Sequence, residues 1–143
     1  MSSLLSRAKV KRENAENSYK KISTDDAYLD DCCYNLQQCI EFTLKFIVEE
    51  NGESYVENHD IRAQLNKLKS LGLDVPERDS LRQIASTLNS WEAESRYSNN
   101  FLADIEDIDE SRRIADALIN FAESLICETE PSMDAFPESR IKP

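Results

Sequence analysis

Apolar residues recur every three or four positions in five separate segments of the chain, a spacing typical of amphipathic α-helices. Polar residues and two glycines interrupt the pattern between the segments. The sequence therefore predicts five helices. In chain order they run from about Ser3 to Ile22, from Asp25 to Asn51, from about Asn58 to Leu71, from Pro76 to the region of Ser95–Tyr97, and from Asp107 to Ile126.

The second predicted helix has the broadest apolar stripe, which indicates a central helix that contacts several neighbours. Gly52 and Gly72 are expected to end the second and third helices as left-handed C-terminal caps. We expect the second, fourth and fifth helices to form the core, and the first and third to pack on them. The first helix is the least regular, because Arg12 interrupts its apolar stripe.

The predicted connections are short, which favours an antiparallel, up-and-down arrangement. With only 2 glycines and 4 prolines among 143 residues, the chain lacks the turn residues that a β-sandwich or barrel needs. The predicted fold class is therefore all-α, an up-and-down bundle of about five helices. Residues 1–127 are expected to form one domain, and residues 128–143, which lose the periodicity, a flexible tail.

The formal net charge is −11, but it is unevenly distributed. Residues 1–21 hold six basic and two acidic side chains, whereas the remainder is strongly acidic. A partner with a phosphate backbone prefers a basic face, so this balance argues against nucleic acid. The simplest interpretation is that the cationic first helix lies on an acidic body.

The four cysteines show neither a C-x-x-C pair nor the spacing of a zinc site, and the single histidine excludes multi-histidine sites. We interpret them as small buried hydrophobic residues in a reducing compartment. The first residues do not resemble a signal peptide, and no apolar run is long enough to span a membrane. These features predict a cytoplasmic protein without membrane association.

The sequence contains few of the usual components of an active site. Its glycines, at positions 52 and 72, cannot form a phosphate-binding loop. His59 has no nucleophile defined beside it, and the acidic residues 104–110 do not follow a calcium-loop pattern. We therefore predict no metal, no cofactor and no conventional catalytic residue.

One group of motifs resembles a known family, the HEPN domains. Gln38, Glu41 and Lys45 match the Q-x-x-E-x-x-x-K signature of that family in the second helix. Residues 58–61 (N-H-D-I) resemble its T-H-D-L turn, and residues 94–97 (E-S-R-Y) resemble its A-R-Y ending of the fourth helix. The three motifs occur in the expected order over roughly residues 5–127.

The resemblance implies a helical bundle that usually forms a homodimer. By this resemblance, we expect a prokaryotic cytoplasmic protein of the kind often paired with a minimal nucleotidyltransferase, or a domain of a larger protein thought to bind nucleotides. Some members of the family are metal-independent ribonucleases of toxin–antitoxin or defence systems. These ribonucleases carry R-x(4–6)-H, but the corresponding positions after Arg96, residues 101–103, are Phe, Leu and Ala.

The matched residues have two interpretations. Gln38, Glu41 and Lys45 share a helix face, either as a structural polar seam or as a seam that faces a groove or a dimer partner. His59 and Asp60 either begin a helix or face a ligand. Two residues complete the candidate ligand-binding set. Arg96 either stabilises a helix end or binds phosphate, and Tyr97 is either half-buried or stacks on a base.

The missing histidine is the most informative departure, since RNA cleavage near neutral pH most readily uses an imidazole. We therefore predict a non-catalytic, dimeric HEPN-type binding module, with a nucleotide as ligand or a nucleotidyltransferase as partner. The alternative is a divergent HEPN ribonuclease that acts through Arg96 and Tyr97 without the usual histidine.

Overall fold

The computed structural model describes residues 3–97 and 103–129, and the side chains of residues 3–92 and 103–126. Five helices form a bundle in these ranges, which confirms the predicted all-α fold class. The helices are α1 (Leu4–Tyr19), α2 (Ala27–Glu50), α3 (Ile61–Ser70), α4 (Arg78–Tyr97) and α5 (Ile105–Thr129). Within the described ranges, none of them combines the length and the apolar character needed to cross a membrane.

Helix α2 is the centre of the bundle, as its broad apolar stripe predicts. Nearly every residue between Cys32 and Val48 is buried, and α2 contacts all four other helices. The expected core of α2, α4 and α5 needs correction, because the most extensive contact of α2 is with α1. Ala8 and Ala15 are fully buried in α1. Such short side chains allow two helix axes to approach closely.

Helix α1 is joined to α5 by ion pairs, which explains why Arg12 interrupts the apolar stripe. Arg12 Nε lies 2.7 Å from Asp116 Oδ1, and Arg112 Nη2 lies 2.8 Å from Glu16 Oε2. Lys9 pairs with Glu123 further along α5. The order of the pairs shows that the two helices are antiparallel. The cationic N-terminal helix thus lies on the acidic body, as the charge distribution predicts.

The two glycines end their helices as predicted. Gly52 has φ +79° and Gly72 has φ +73°, in the left-handed region that favours glycine. The amide after each glycine closes the helix: Glu53 N–H donates to Val48 O at 3.2 Å, and Leu73 N–H donates to Leu68 O at 2.9 Å. These are the bonds of a Schellman motif, which satisfies the last carbonyls of the helix.

Helix α1 stops earlier than the predicted Ile22. Its last helical residue is Tyr19, and residues 20–24 form a turn. Ile22 N–H donates to Tyr19 O, three residues back, so the chain has tightened out of the α-helical pattern. Helix α2 then begins at Ala27, whose N–H donates to Asp25 Oδ1 at 2.9 Å.

Three other helix starts are also displaced. Helix α4 begins at Arg78 rather than at Pro76, because Glu77 has φ +62°, outside the right-handed helical region. Helix α3 begins after Asp60 rather than near Asn58, and Asp60 caps it. Asn58 instead accepts from the Asp60 N–H at 3.0 Å, in a side-chain turn just before the helix. Helix α5 begins at Ile105 rather than at Asp107, because Asp104 Oδ1 accepts from the Glu106 N–H at 3.0 Å.

Cys32, Cys33 and Cys39 are buried free thiols, as predicted. Burial raises the thiol pKa of Cys32 and of Cys39 to about 12, and it also raises the pKa of Cys33. A thiol with so high a pKa is almost entirely protonated and unreactive near neutral pH. The side chain of Cys127 lies outside the described part of the chain.

Helix α5 continues to Thr129, two residues beyond the predicted end of the body at residue 127. The predicted flexible tail, residues 128–143, therefore loses its first two residues to the helix. Residues 130–143 lie outside the described residues.

We expect Glu16→Gln to lower the free energy of unfolding by about 1 kcal/mol at neutral pH, because Glu16 pairs with two arginines. The hydrogen bond from Arg112 lowers the pKa of Glu16 below its ordinary value of 4.5. Its contribution is therefore fully present above that value and is lost as the pH falls through the lower pKa of the folded state. Urea unfolding over a series of pH values measures the effect.

The matched control is Glu13→Gln, which removes an exposed carboxylate from the same helix. It should change stability little at any pH. If Glu16→Gln unfolds with the same acid dependence as the wild type, the ion pairs with α5 do not stabilise the bundle.

Candidate functional site

A buried carboxylate lies at the centre of the candidate site. The side chain of Glu41 on α2 is fully buried, and both of its oxygens accept hydrogen bonds. Lys45 Nζ donates to Oε2 at 2.8 Å, and Gln37 Nε2 donates to Oε1 at 3.0 Å. Gln37 precedes Glu41 by one turn and Lys45 follows it by one turn, so a single helix face provides all three groups.

His59 joins this carboxylate from the turn before α3. Its Nδ1 lies 3.1 Å from Glu41 Oε2 and 3.2 Å from Oε1. A carboxylate only accepts, so Nδ1 carries the proton and donates it. The imidazole is 62% exposed, which makes it the accessible end of an otherwise buried group. We call Gln37, Glu41, Lys45 and His59 the carboxylate cluster.

The ammonium of Lys45 is shielded as well as paired. Its side chain is only 9% exposed, and Nζ lies 5.1 Å from the centre of the Tyr55 ring. An ammonium near an aromatic face gains a further electrostatic attraction. The cluster thus holds a nearly buried charge pair in which each charged group has a partner, the condition for tolerating buried charge.

Gln38 is linked to Glu41 through Gln37 rather than by a hydrogen bond of its own. Its Nε2 donates to Gln37 Oε1 at 2.8 Å, and Gln37 in turn contacts the carboxylate. The sequence motif therefore identified Gln38, whereas the direct partner of Glu41 is the neighbouring Gln37. The spacing of four residues between Gln37 and Glu41 is the signal that could have identified it.

Asp60 ties the His59 turn to α4. Its Oδ1 accepts from the Arg62 N–H at 2.9 Å and from Asn89 Nδ2 at 2.8 Å. Asn89 Oδ1 in turn accepts from the Ile61 N–H at 2.8 Å. Asn89 thus fixes the first turn of α3 from the side of α4. Sequence reasoning missed it, because nothing near position 89 indicates a partner twenty-nine residues earlier.

Arg96 and Tyr97 are the last residues of α4, and their side chains lie outside the described part of the chain. Position 96 follows Asn89 by seven residues, so both positions share a face of α4 about 10 Å apart along the axis. The structure brings Gln38, Glu41, Lys45 and His59 close together and places Asp60 next to them in the same turn as His59. A ligand-binding role stays a prediction for all seven residues, Arg96 and Tyr97 included.

The groups of the cluster can hold the local structure in place and can offer one polar side chain to a ligand. The carboxylate is bound by an ammonium, an amide and an imidazole, and only the imidazole offers surface to a ligand. Among the described residues, no group of three His, Cys, Asp or Glu could hold a metal ion.

Comparison with known proteins adds one finding. The family model described as HEPN domain matches residues 1–130, a range that spans all five helices. No curated protein matches the chain, and no solved structure matches it.

We expect Glu41→Gln and Lys45→Met each to lower the free energy of unfolding by about 3 kcal/mol, because each leaves the other charge buried without its partner. The double variant removes both charges. Its loss should therefore be smaller than the sum of the single losses by roughly 2 kcal/mol. Urea unfolding of the four proteins measures this coupling.

Asp74 and Arg78 provide a matched control. They have the same spacing, and Nη1 lies 3.0 Å from Oδ1, but their side chains are 81% and 42% exposed. Coupling between Asp74→Asn and Arg78→Met should stay below about 1 kcal/mol. Purely additive losses at Glu41 and Lys45 would contradict the charge pairing described above.

Proposed function

Because the chain belongs to the HEPN domain family, we propose that it is a non-catalytic, dimeric binding module that binds a nucleotide, or a nucleotidyltransferase partner, through the face around His59. The observation that carries this proposal is the closed carboxylate cluster. Its ionisable groups hold one another in place, and only the His59 imidazole is exposed.

The state of Glu41 and Lys45 supports a binding role over catalysis. A general acid or base must reach the proton that it transfers. Glu41 is fully buried, and Lys45 Nζ is covered by Tyr55 and paired with the carboxylate. These groups are suited to fixing the position of the imidazole rather than to exchanging protons with a substrate.

The position of the only histidine supports the same conclusion. The R-x(4–6)-H pattern of HEPN ribonucleases has no histidine here, since residues 101–103 are Phe, Leu and Ala. His59 lies instead before α3, where Glu41 binds its Nδ1. The net charge of −11 further disfavours a long polyanion such as RNA.

A single nucleotide suits this face better than RNA. Asn89 links the His59 turn to α4, and position 96 lies two helical turns further along the same face. In this proposal His59 and Arg96 bind the phosphates, and Tyr97 stacks on the base. Asp60 keeps the turn in place by capping α3.

The proposal includes a cellular setting, which rests on membership of the HEPN family. A HEPN module of this kind would act beside a minimal nucleotidyltransferase in a prokaryotic toxin–antitoxin or defence-like system. The buried free thiols fit a reducing compartment such as the cytoplasm.

The second candidate is a divergent ribonuclease. The exposed imidazole of His59, oriented by a carboxylate, is the observation that favours it, because such a pair is a common general base. In this alternative Arg96 stabilises the charge on the phosphate during cleavage.

We expect a nucleotide from a panel of mono-, di- and triphosphates to raise the melting temperature. A ligand at a hundredfold excess over its Kd stabilises the fold by about 2.7 kcal/mol. This corresponds to a rise of roughly 5–10 °C for a chain of this size. His59→Ala and Arg96→Ala should each abolish most of the shift, and differential scanning fluorimetry measures it.

The matched control is Arg78→Ala, which removes an arginine from the opposite end of α4 and should keep the full shift. Incubation with RNA distinguishes the second candidate, since we expect no cleavage. Cleavage by the wild type that disappears in Arg96→Ala would replace the binding module with the ribonuclease. The absence of any shift with the whole panel would contradict a nucleotide ligand.

We expect the protein to be a homodimer. Size-exclusion chromatography with light scattering should give twice the mass of one chain across micromolar concentrations. A mass of one chain over the whole range would contradict the dimer while leaving the nucleotide measurement to be judged separately.

A further inference from the structure

An open groove of about 330 Å³ runs between α1 and α2, on the side of α1 that faces away from α5. Its walls combine cationic, apolar and amide groups. The lining residues are Ser6, Arg7, Val10, Lys11, Gln38 and Phe42. Val10 is 54% exposed, which is unusual for a large aliphatic side chain in this protein. The groove thus offers an apolar surface with a cationic edge.

The charge of the groove differs from that of the rest of the bundle. Arg7 and Lys11 are one helical turn apart on α1, and no carboxylate of the described residues pairs with either. Lys9 and Arg12, on the other side of the same helix, are paired with α5. In a chain with net charge −11, the groove is a local cationic site that attracts an acidic occupant.

We propose that residues 130–138 of the same chain dock in this groove. This segment carries Glu130, Asp134 and Glu138 and no basic residue, and it contains Met133 and Phe136. Its carboxylates complement Arg7 and Lys11, and its two large apolar side chains match the surface formed by Val10 and Phe42. The family match ends at residue 130, so nearly all of the segment lies beyond it.

The bundle delivers this segment to the correct end of the groove. Helices α1 and α5 are antiparallel, and Lys9 pairs with Glu123. Thr129 follows Glu123 by six helical steps, about 9 Å along the axis, which brings the chain level with the start of α1. The groove lies beside the first two turns of α1. The nine residues 130–138 span up to about 30 Å when extended, enough to pass around a helix about 10 Å wide.

Pro131 favours this departure from the helix axis. Proline lacks the N–H that a continuing helix needs, so α5 cannot simply extend through it.

Docking also connects the segment to the carboxylate cluster, because Gln38 lines the groove and donates to Gln37. The docking does not depend on the nucleotide proposal, and its test uses no nucleotide.

Paramagnetic broadening in the full chain tests the docking. A nitroxide is attached at Ser132→Cys in a Cys127→Ser background, where the three buried, high-pKa thiols resist labelling. The backbone amides of Val10 and Phe42 should lose most of their intensity. The amides of α3, which packs on α4 and α2, should keep theirs.

Charge reversal provides the control and the rescue. Arg7→Glu with Lys11→Glu should abolish the broadening, whereas Lys20→Glu with Lys69→Glu, an equal charge change at exposed sites, should not. Adding Asp134→Lys and Glu138→Lys to the first pair should restore it. Unshifted amides at the start of α3, Ile61 and Arg62, which lie about two turns from Lys69, confirm that each variant is folded. The rescue tests the proposal even if the reversed groove is perturbed.

Two results would overturn the proposal. The first is the absence of selective broadening at the groove in the wild-type background. The second is broadening that occurs only between chains, in a mixture of spin-labelled unenriched chain and unlabelled isotope-enriched chain. That outcome would assign the groove to the segment of a second copy.

Discussion

The structure depends on a single carboxylate that is buried without being isolated. Glu41 lies in the middle of the central helix, where an unpaired charge would cost several kcal/mol. Its burial is tolerated because an ammonium, an amide and an imidazole converge on it. The imidazole comes from the turn before α3, so the same constraint positions that turn on α2. Asn89 then fixes the turn from α4.

The excess of acidic residues also has a structural role. Repulsion between them does not disrupt the bundle, because cations of α1 are paired with the acidic face of α5. This pairing accounts for one side of α1 only. Arg7 and Lys11 on the other side keep their charge beside an apolar groove, and this asymmetry separates the part of α1 that holds the fold together from the part that can recognise an occupant.

The family match and the cluster together change how the motif is understood. Gln38, Glu41 and Lys45 share a helix face, but they differ in role: Lys45 pairs with the carboxylate directly, while Gln38 reaches it through Gln37 and also lines the groove. The motif residues form a polar seam along α2, and His59, which binds to this seam at Glu41, is exposed. The two interpretations of the sequence, a structural seam and a face toward a ligand, are therefore compatible.

The sequence by itself determined the five helices, the glycine ends of α2 and α3 and the burial of three cysteines, because helix periodicity and glycine conformation are local properties. It also determined that Gln38, Glu41 and Lys45 share one face of α2, since motif spacing places residues on a helix face. Only the tertiary structure decided that α1 is the principal neighbour of α2, that Gln37 and Tyr55 complete the surroundings of Glu41 and Lys45, and that Asn89 holds the turn. Asn89 and Tyr55 are contacts between separate elements, and their partners depend on how the helices pack rather than on any pattern along the chain.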